Sequence, residues 1–182
     1  MGFFFITGYP RSRTAWLSRF FTTDKSFCFH EEIWVEPSFE SLIAKMRDGL
    51  NHWDYVGDSD PSLPFVADEI IQNWPGSPLV IINRGHERAL DWLSENGVPP
   101  YYAAVGVFKM TQGLEKLKTL PHLEVDYKDL VDENCVCKIW EYLVPALDWD
   151  LERYRMLNKV NIQKGATDYR DLRISGGWRK LL

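Results

Sequence analysis

The stretch Phe3-Phe4-Phe5-Ile6-Thr7-Gly8-Tyr9-Pro10-Arg11-Ser12-Arg13-Thr14-Ala15-Trp16-Leu17 decides the fold. Phe3–Thr7 is a short, continuous apolar run rich in aromatics, as in a strand buried on both faces. Gly8-Tyr9-Pro10 then forces a turn. From Thr14 the apolar residues Trp16, Leu17, Phe20 and Phe21 recur at helical spacing. The segment therefore predicts strand, loop and helix in sequence. A helix start offers unpaired N–H groups and a partial positive charge. Ser12 and Thr14 add hydroxyls, Arg11 and Arg13 add full charges, and no acid occurs before Asp24. The loop is built to take an anion.

It is not a nucleotide-triphosphate loop of the Gly-x-x-x-x-Gly-Lys-[Ser/Thr] kind. Counting from Gly8, that pattern needs Gly, Lys and Ser/Thr where Arg13, Thr14 and Ala15 stand. The phosphate-bridging lysine and the magnesium-binding hydroxyl are missing, which argues against an ATPase or ordinary nucleotide kinase.

Outward from this loop the pattern alternates. Phe27–Trp34 reads as a second strand, and Pro37-Ser38 opens a helix running to about Gly49. Tyr55-Val56 leads into Gly57-Asp58-Ser59-Asp60-Pro61, a strand end or a turn. Ser62–Trp74 reads as helical with Pro64 in its first turn. Leu79–Asn83 is the clearest strand of the chain, followed by a helix over His86–Glu95. Tyr101–Leu120 is mostly helical, Leu123–Asp126 is a last strand, and Val136–Leu147 a last long helix. The expected fold is α/β, three layers around a mostly parallel central sheet, like that of the P-loop NTPases. Ligands bind such sheets at the carboxyl ends of the strands.

The chain has 182 residues, enough for one domain with a substantial core. No run approaches the ~20 apolar residues of a membrane span, and the start lacks the basic region of a signal peptide. Cys28, Cys135 and Cys137 form neither a disulfide framework nor a metal-ligand spacing. A reducing, cytoplasmic setting is the expectation. The net charge of −5 is unevenly spread. Residues 152–182 carry eight lysines and arginines against three acids, leaving −10 for the rest. An acidic body disfavours non-specific nucleic-acid binding. The basic tail fits a small anionic ligand, an acidic partner or solvent.

Pro10-Arg11-Ser12-Arg13-Thr14-Ala15-Trp16-Leu17 resembles the phosphosulfate-binding loop of the sulfotransferase family, commonly Pro-[Lys/Arg]-Ser-Gly-Thr-Thr-Trp-Leu. Leu79-Val-Ile-Ile-Asn-Arg84 resembles that family's strand ending in the arginine of the 3′-phosphate site. Val125-Asp126-Tyr127-Lys128-Asp129-Leu130 resembles its Tyr-Glu-Asp-Leu segment. Lys164-Gly165 resembles its Lys-Gly loop, and the basic tail would then cover the nucleotide. Arg13 and Ala15 depart from the pattern, and the family's serine eight places after the arginine falls on Trp92, with Ser94 two places late. The His-x-Pro motif is absent.

The resemblance implies a small-molecule donor, 3′-phosphoadenylyl sulfate, used without a metal, and an unidentified hydroxyl or amine acceptor. Arg11 would neutralise the leaving phosphate. The backbone from Pro10 to Trp16 and the Thr14 hydroxyl would hold the phosphosulfate. Arg84 would hold the 3′-phosphate, with Ser94, Lys164 and Gly165 as further contacts. Asp58 and Asp60 rank first as the base for the acceptor, ahead of His30. Two alternatives stand beside this reading: a divergent phosphotransferase on a nucleoside or nucleotide, and an anion-binding module without chemistry.

Overall fold

The computed structural model describes residues 1–159. Five strands form one sheet: β1 (Gly2–Gly8), β2 (Ser26–His30), β3 (Tyr55–Ser59), β4 (Leu79–Asn83) and β5 (His122–Asp126). Their order is β2-β3-β1-β4-β5, and every pairing is parallel. The phenylalanine run therefore occupies the centre. Phe5 pairs with Asp58 on one side and Leu79 on the other. Phe4, Phe5 and Ile6 are completely buried, as a strand covered on both faces requires.

The described residues form eight helices around the sheet: α1 (Thr14–Phe20), α2 (Glu32–Val35), α3 (Phe39–Gly49), α4 (Ala67–Asn73), α5 (His86–Glu95), α6 (Pro100–Leu117), α7 (Glu133–Leu143) and α8 (Leu151–Asn158). Short 3₁₀ segments at Leu63–Val66 and Tyr127–Val131 follow β3 and β5. The three-layer α/β/α expectation holds. One core joins Phe4 and Ile6 to α1, α7 and α8 through Phe20, Phe21, Trp140 and Tyr154. The other joins Phe5 and Val56 to α3, α4 and α6 through Leu42, Met46, Ile70 and Leu114. Each large apolar side chain so buried contributes about 1.5–3 kcal/mol.

Gly113 sets how closely α6 approaches the 3₁₀ segment that follows β3. A Cβ there would lie 1.9 Å from the Pro64 carbonyl oxygen, so only glycine permits the contact. Among the described residues no helix is long and apolar enough to cross a membrane.

Two expectations need correction. β2 stops at His30 and does not run to Trp34. Glu31 turns into the left-handed region (φ 56°), and Glu32–Val35 forms α2, held by the Lys45 ion pairs to Glu32 and Glu36. Of the two readings of Gly57–Pro61, the strand end holds: Asp58 lies inside β3 and Asp60 just beyond it. The basic tail begins later than its charge suggests. Leu151–Asn158 is a helix packed on α1, with Arg153 donating to the carbonyls of Arg19, Phe20 and Thr22. Those bonds satisfy carbonyls that the end of α1 leaves open.

Candidate active site

β1 delivers the chain into the loop at Gly8. A Cβ at Gly8 would meet the Ile82 carbonyl oxygen at 2.5 Å and Ser12 Oγ at 3.1 Å, so the loop can start there only without a side chain. Arg11 (φ 71°) and Arg13 (φ 62°) both adopt left-handed backbone. Non-glycine residues pay for this with about 1–3 kcal/mol each, and such strain concentrates at functional sites. Cross-links hold the strained shape. The Ser12 hydroxyl donates to the Tyr9 carbonyl at 2.5 Å, inside the loop. Arg84 donates to the Arg11 carbonyl.

These contacts sort the predicted anion ligands. Ser12 is fully buried and its hydroxyl is already engaged, so it shapes the loop. The Arg13 guanidinium turns away from the loop mouth. It lies 4.4 Å over the Trp16 ring and donates to the Leu130 carbonyl at 3.1 Å and to Asn158 Oδ1 at 2.8 Å. Trp16 is core, stacked on Phe20. Pro10 is half-buried in the turn, and Ala15 lies in the first turn of α1 with no side-chain donor. The Thr14 hydroxyl forms no hydrogen bond among the described residues and remains available. The exposed Arg11 guanidinium is likewise unpaired among them.

Arg84 sits at the end of β4, half-buried, its guanidinium 4.1 Å over the Tyr127 ring. Tyr127 belongs to the segment singled out after β5, so that segment supports Arg84. A cleft of about 360 Å³ opens here, lined by Arg11, Arg84, Arg88, Asp91, Trp92 and Glu95 among others. Ser94 is exposed on α5 and does not line it. Lys164 and Gly165 lie outside the described residues. Sequence reading missed Arg88. It belongs to no motif, and only its place in the first turn of the helix that follows Arg84 could have drawn notice. A larger cavity of about 490 Å³ beside β5 is lined by Glu124, Asp126, Asp129 and Asp132, the wrong sign for an anionic ligand.

The candidate bases lie across β1 from the arginines. Asp58 and Asp60 are both fully buried. Neither Asp58 oxygen has a hydrogen-bond partner among the described residues, while Asp60 accepts from the Ser62 N–H at 2.6 Å. Burial first, then the charges of Asp60, Glu32 and Glu31, push Asp58 well above the usual carboxylate range. Burial pushes Asp60 up to about 7.

His30 is different: its side chain is 29% exposed. Its Nδ1 lies 2.7 Å from the Ser59 carbonyl oxygen, and its Nε2 lies 3.7 Å from Glu31 Oε1. A carbonyl only accepts, so Nδ1 carries the proton and Nε2 keeps its lone pair in the neutral ring. Ser59 also donates its hydroxyl to the Thr14 carbonyl at 2.9 Å, linking His30 to the anion loop. Among the described residues no group of three or more His, Cys, Asp or Glu is arranged to hold a metal ion.

No family model matches the sequence, and no curated protein matches it. Solved structures do match the fold. A sulfotransferase domain from the curacin biosynthetic pathway superposes with a TM-score of 0.59 at 12% identity, covering 91% of this chain and 81% of its own. A sulfotransferase from Alicyclobacillus acidocaldarius superposes with a TM-score of 0.56 at 12% identity, covering 87% of this chain and 90% of its own. The chain has the fold of these sulfotransferase domains.

Proposed function

We propose that the chain is a sulfotransferase-like enzyme that moves a sulfuryl group from 3′-phosphoadenylyl sulfate to a hydroxyl or amine acceptor. One observation carries the reading. A strained loop, closed by Gly8 and Ser12 and flanked by Arg11 and Arg84, stands at the carboxyl end of the central strand, in the fold of sulfotransferase domains. The residues fit the donor. Loop N–H groups and the Thr14 hydroxyl suit the phosphosulfate, and the arginine-lined cleft suits the 3′-phosphate.

In the transfer, the bond between sulfur and the bridging phosphate oxygen breaks as a bond from sulfur to the acceptor atom forms. The leaving oxygen gains negative charge, which Arg11 neutralises. The acceptor's proton passes to a base. His30 now stands ahead of Asp58 and Asp60, because it is the one partly exposed group of the three. Its Ser59 bond leaves Nε2 as the acceptor of the proton, with Glu31 Oε1 3.7 Å away. The products are the sulfated acceptor and adenosine 3′,5′-bisphosphate.

Calorimetric titration of the full chain with adenosine 3′,5′-bisphosphate, without magnesium, tests the proposal. Binding is expected, with Arg11→Ala weakening it about 10- to 100-fold, the range of a charge-assisted contact. Failure of a folded chain to bind the bisphosphate sinks the reading. Magnesium-dependent binding of ATP in its place would favour the phosphotransferase alternative.

A further inference from the structure

We infer that Arg88 is a second guanidinium for the phosphate that Arg84 takes, in a cleft whose opposite end rejects any further phosphate. This deepens the proposed donor reading and rests on it.

The cleft runs along one face of α5. Arg88, Asp91 and Glu95 follow at helical spacing on α5, Arg84 stands just before its first turn, and all four line the same 360 Å³ volume. Charge is graded along it. Two arginines stand at the start, beside Arg11, and two carboxylates stand towards the helix end. Arg84 is already fixed by the Tyr127 ring and the Arg11 carbonyl. Arg88, Asp91 and Glu95 form no ion pair among the described residues, although they share the cleft. The cationic end is thus left without an internal counter-charge, and a phosphate would supply one.

Asp91 and Glu95 oppose a second anion and accept hydrogen bonds from neutral donors. The cleft therefore fits a ligand that is anionic at one end and carries hydroxyl or amino hydrogens at the other: a nucleoside with a single phosphate on that side. A guanidinium at position 88 reaches the phosphate with a charge, where Trp92, one turn later, has no hydroxyl to offer.

The test compares adenosine 3′,5′-bisphosphate with adenosine 5′-phosphate by titration of the full chain. The expected result is a wild-type preference for the bisphosphate. Arg88→Ala should weaken bisphosphate binding about 10- to 100-fold, as loss of a charge-assisted contact does. Adenosine 5′-phosphate affinity should be unchanged, and Arg88→Lys should restore part of the preference. Asp91→Asn should tighten the bisphosphate. Circular dichroism confirms that each variant is folded. A wild-type preference that survives Arg88→Ala intact overturns the assignment of Arg88 and leaves the donor reading standing. A wild-type chain that binds neither nucleotide overturns both.

Discussion

His30 reaches from β2 to the neighbouring strand, its Nδ1 2.7 Å from the carbonyl oxygen of Ser59. The same serine holds the first residue of α1 through its hydroxyl. One residue thus orients the candidate base and braces the anion loop. Replacing His30 with alanine should cut transfer about 10²- to 10⁴-fold, the usual contribution of a general base, with bisphosphate binding retained. A loss of binding equal to the loss of rate would contradict that role.

Arg13 tests the loop from the other side. Arg13→Gly removes the guanidinium contacts to Leu130, Asn158 and Trp16 but suits the left-handed backbone. Arg13→Ala removes the same contacts and keeps the strain. Urea unfolding should find the alanine variant less stable than the glycine variant by about 1 kcal/mol. Equal stability would mean that the backbone conformation carries no cost.

The buried carboxyls set a pH dependence. Asp58 and Asp60 hold their protons more tightly folded than unfolded. The folded state therefore binds more protons above the ordinary aspartate range, and stability falls as pH rises. For Asp60 the fall spans roughly pH 4 to 7, from its ordinary value to its folded value of about 7. Asp58→Asn removes one such proton. Its gain in melting temperature over wild type should be small near pH 4 and grow towards pH 8. A gain independent of pH would refute the linkage.

Arg153 ties α8 to the end of α1. Arg153→Ala removes bonds to three backbone carbonyls and should destabilise the fold by about 2–3 kcal/mol, at the level of hydrogen bonds from a charged donor. Hydrogen exchange should show α8 losing protection before the sheet does.

Gly113→Ala should be among the most damaging single-methyl changes. The contact with the Pro64 carbonyl is backbone on backbone, with no flexible side chain to yield. A melting temperature lowered by only a degree or so would show that α6 can shift.

Much of the fold was legible in sequence because local signals and burial agreed. The Phe3–Ile6 run and Leu79–Ile82 are apolar throughout, and both lie in strands at the middle of the sheet. The failures occur where a distant partner overrides the local pattern. Ile33-Trp34-Val35 continues the apolar character of β2, but the turn at Glu31 and the Lys45 ion pairs set α2 there. Within α8 only Tyr154 is buried, so its sequence reads as solvated; Arg13 reaches it from the loop, and its own Arg153 ties it to the end of α1. In the site, Gly8, Arg11 and Arg84 were recognisable from motif and order. The burial of Asp58 and Asp60 was not, because Asp-Ser-Asp-Pro carries every mark of an exposed turn. Arg88 had no local signal, and its relevance comes from the cleft it shares with Arg84 and Arg11.

The all-parallel sheet also governs how the chain assembles. No two of its strands are joined by a hairpin, and β1 finds its partners Asp58 and Leu79 far downstream. During synthesis, at ~5–20 residues per second, the three consecutive phenylalanines of β1 spend several seconds outside the ribosome before β4 has been made. Until then they are an unpaired aromatic strand, the kind of segment that associates with other chains. The residues that make the centre of the finished sheet so dry are thus the ones most exposed to chaperones, or to aggregation, while the protein is being born.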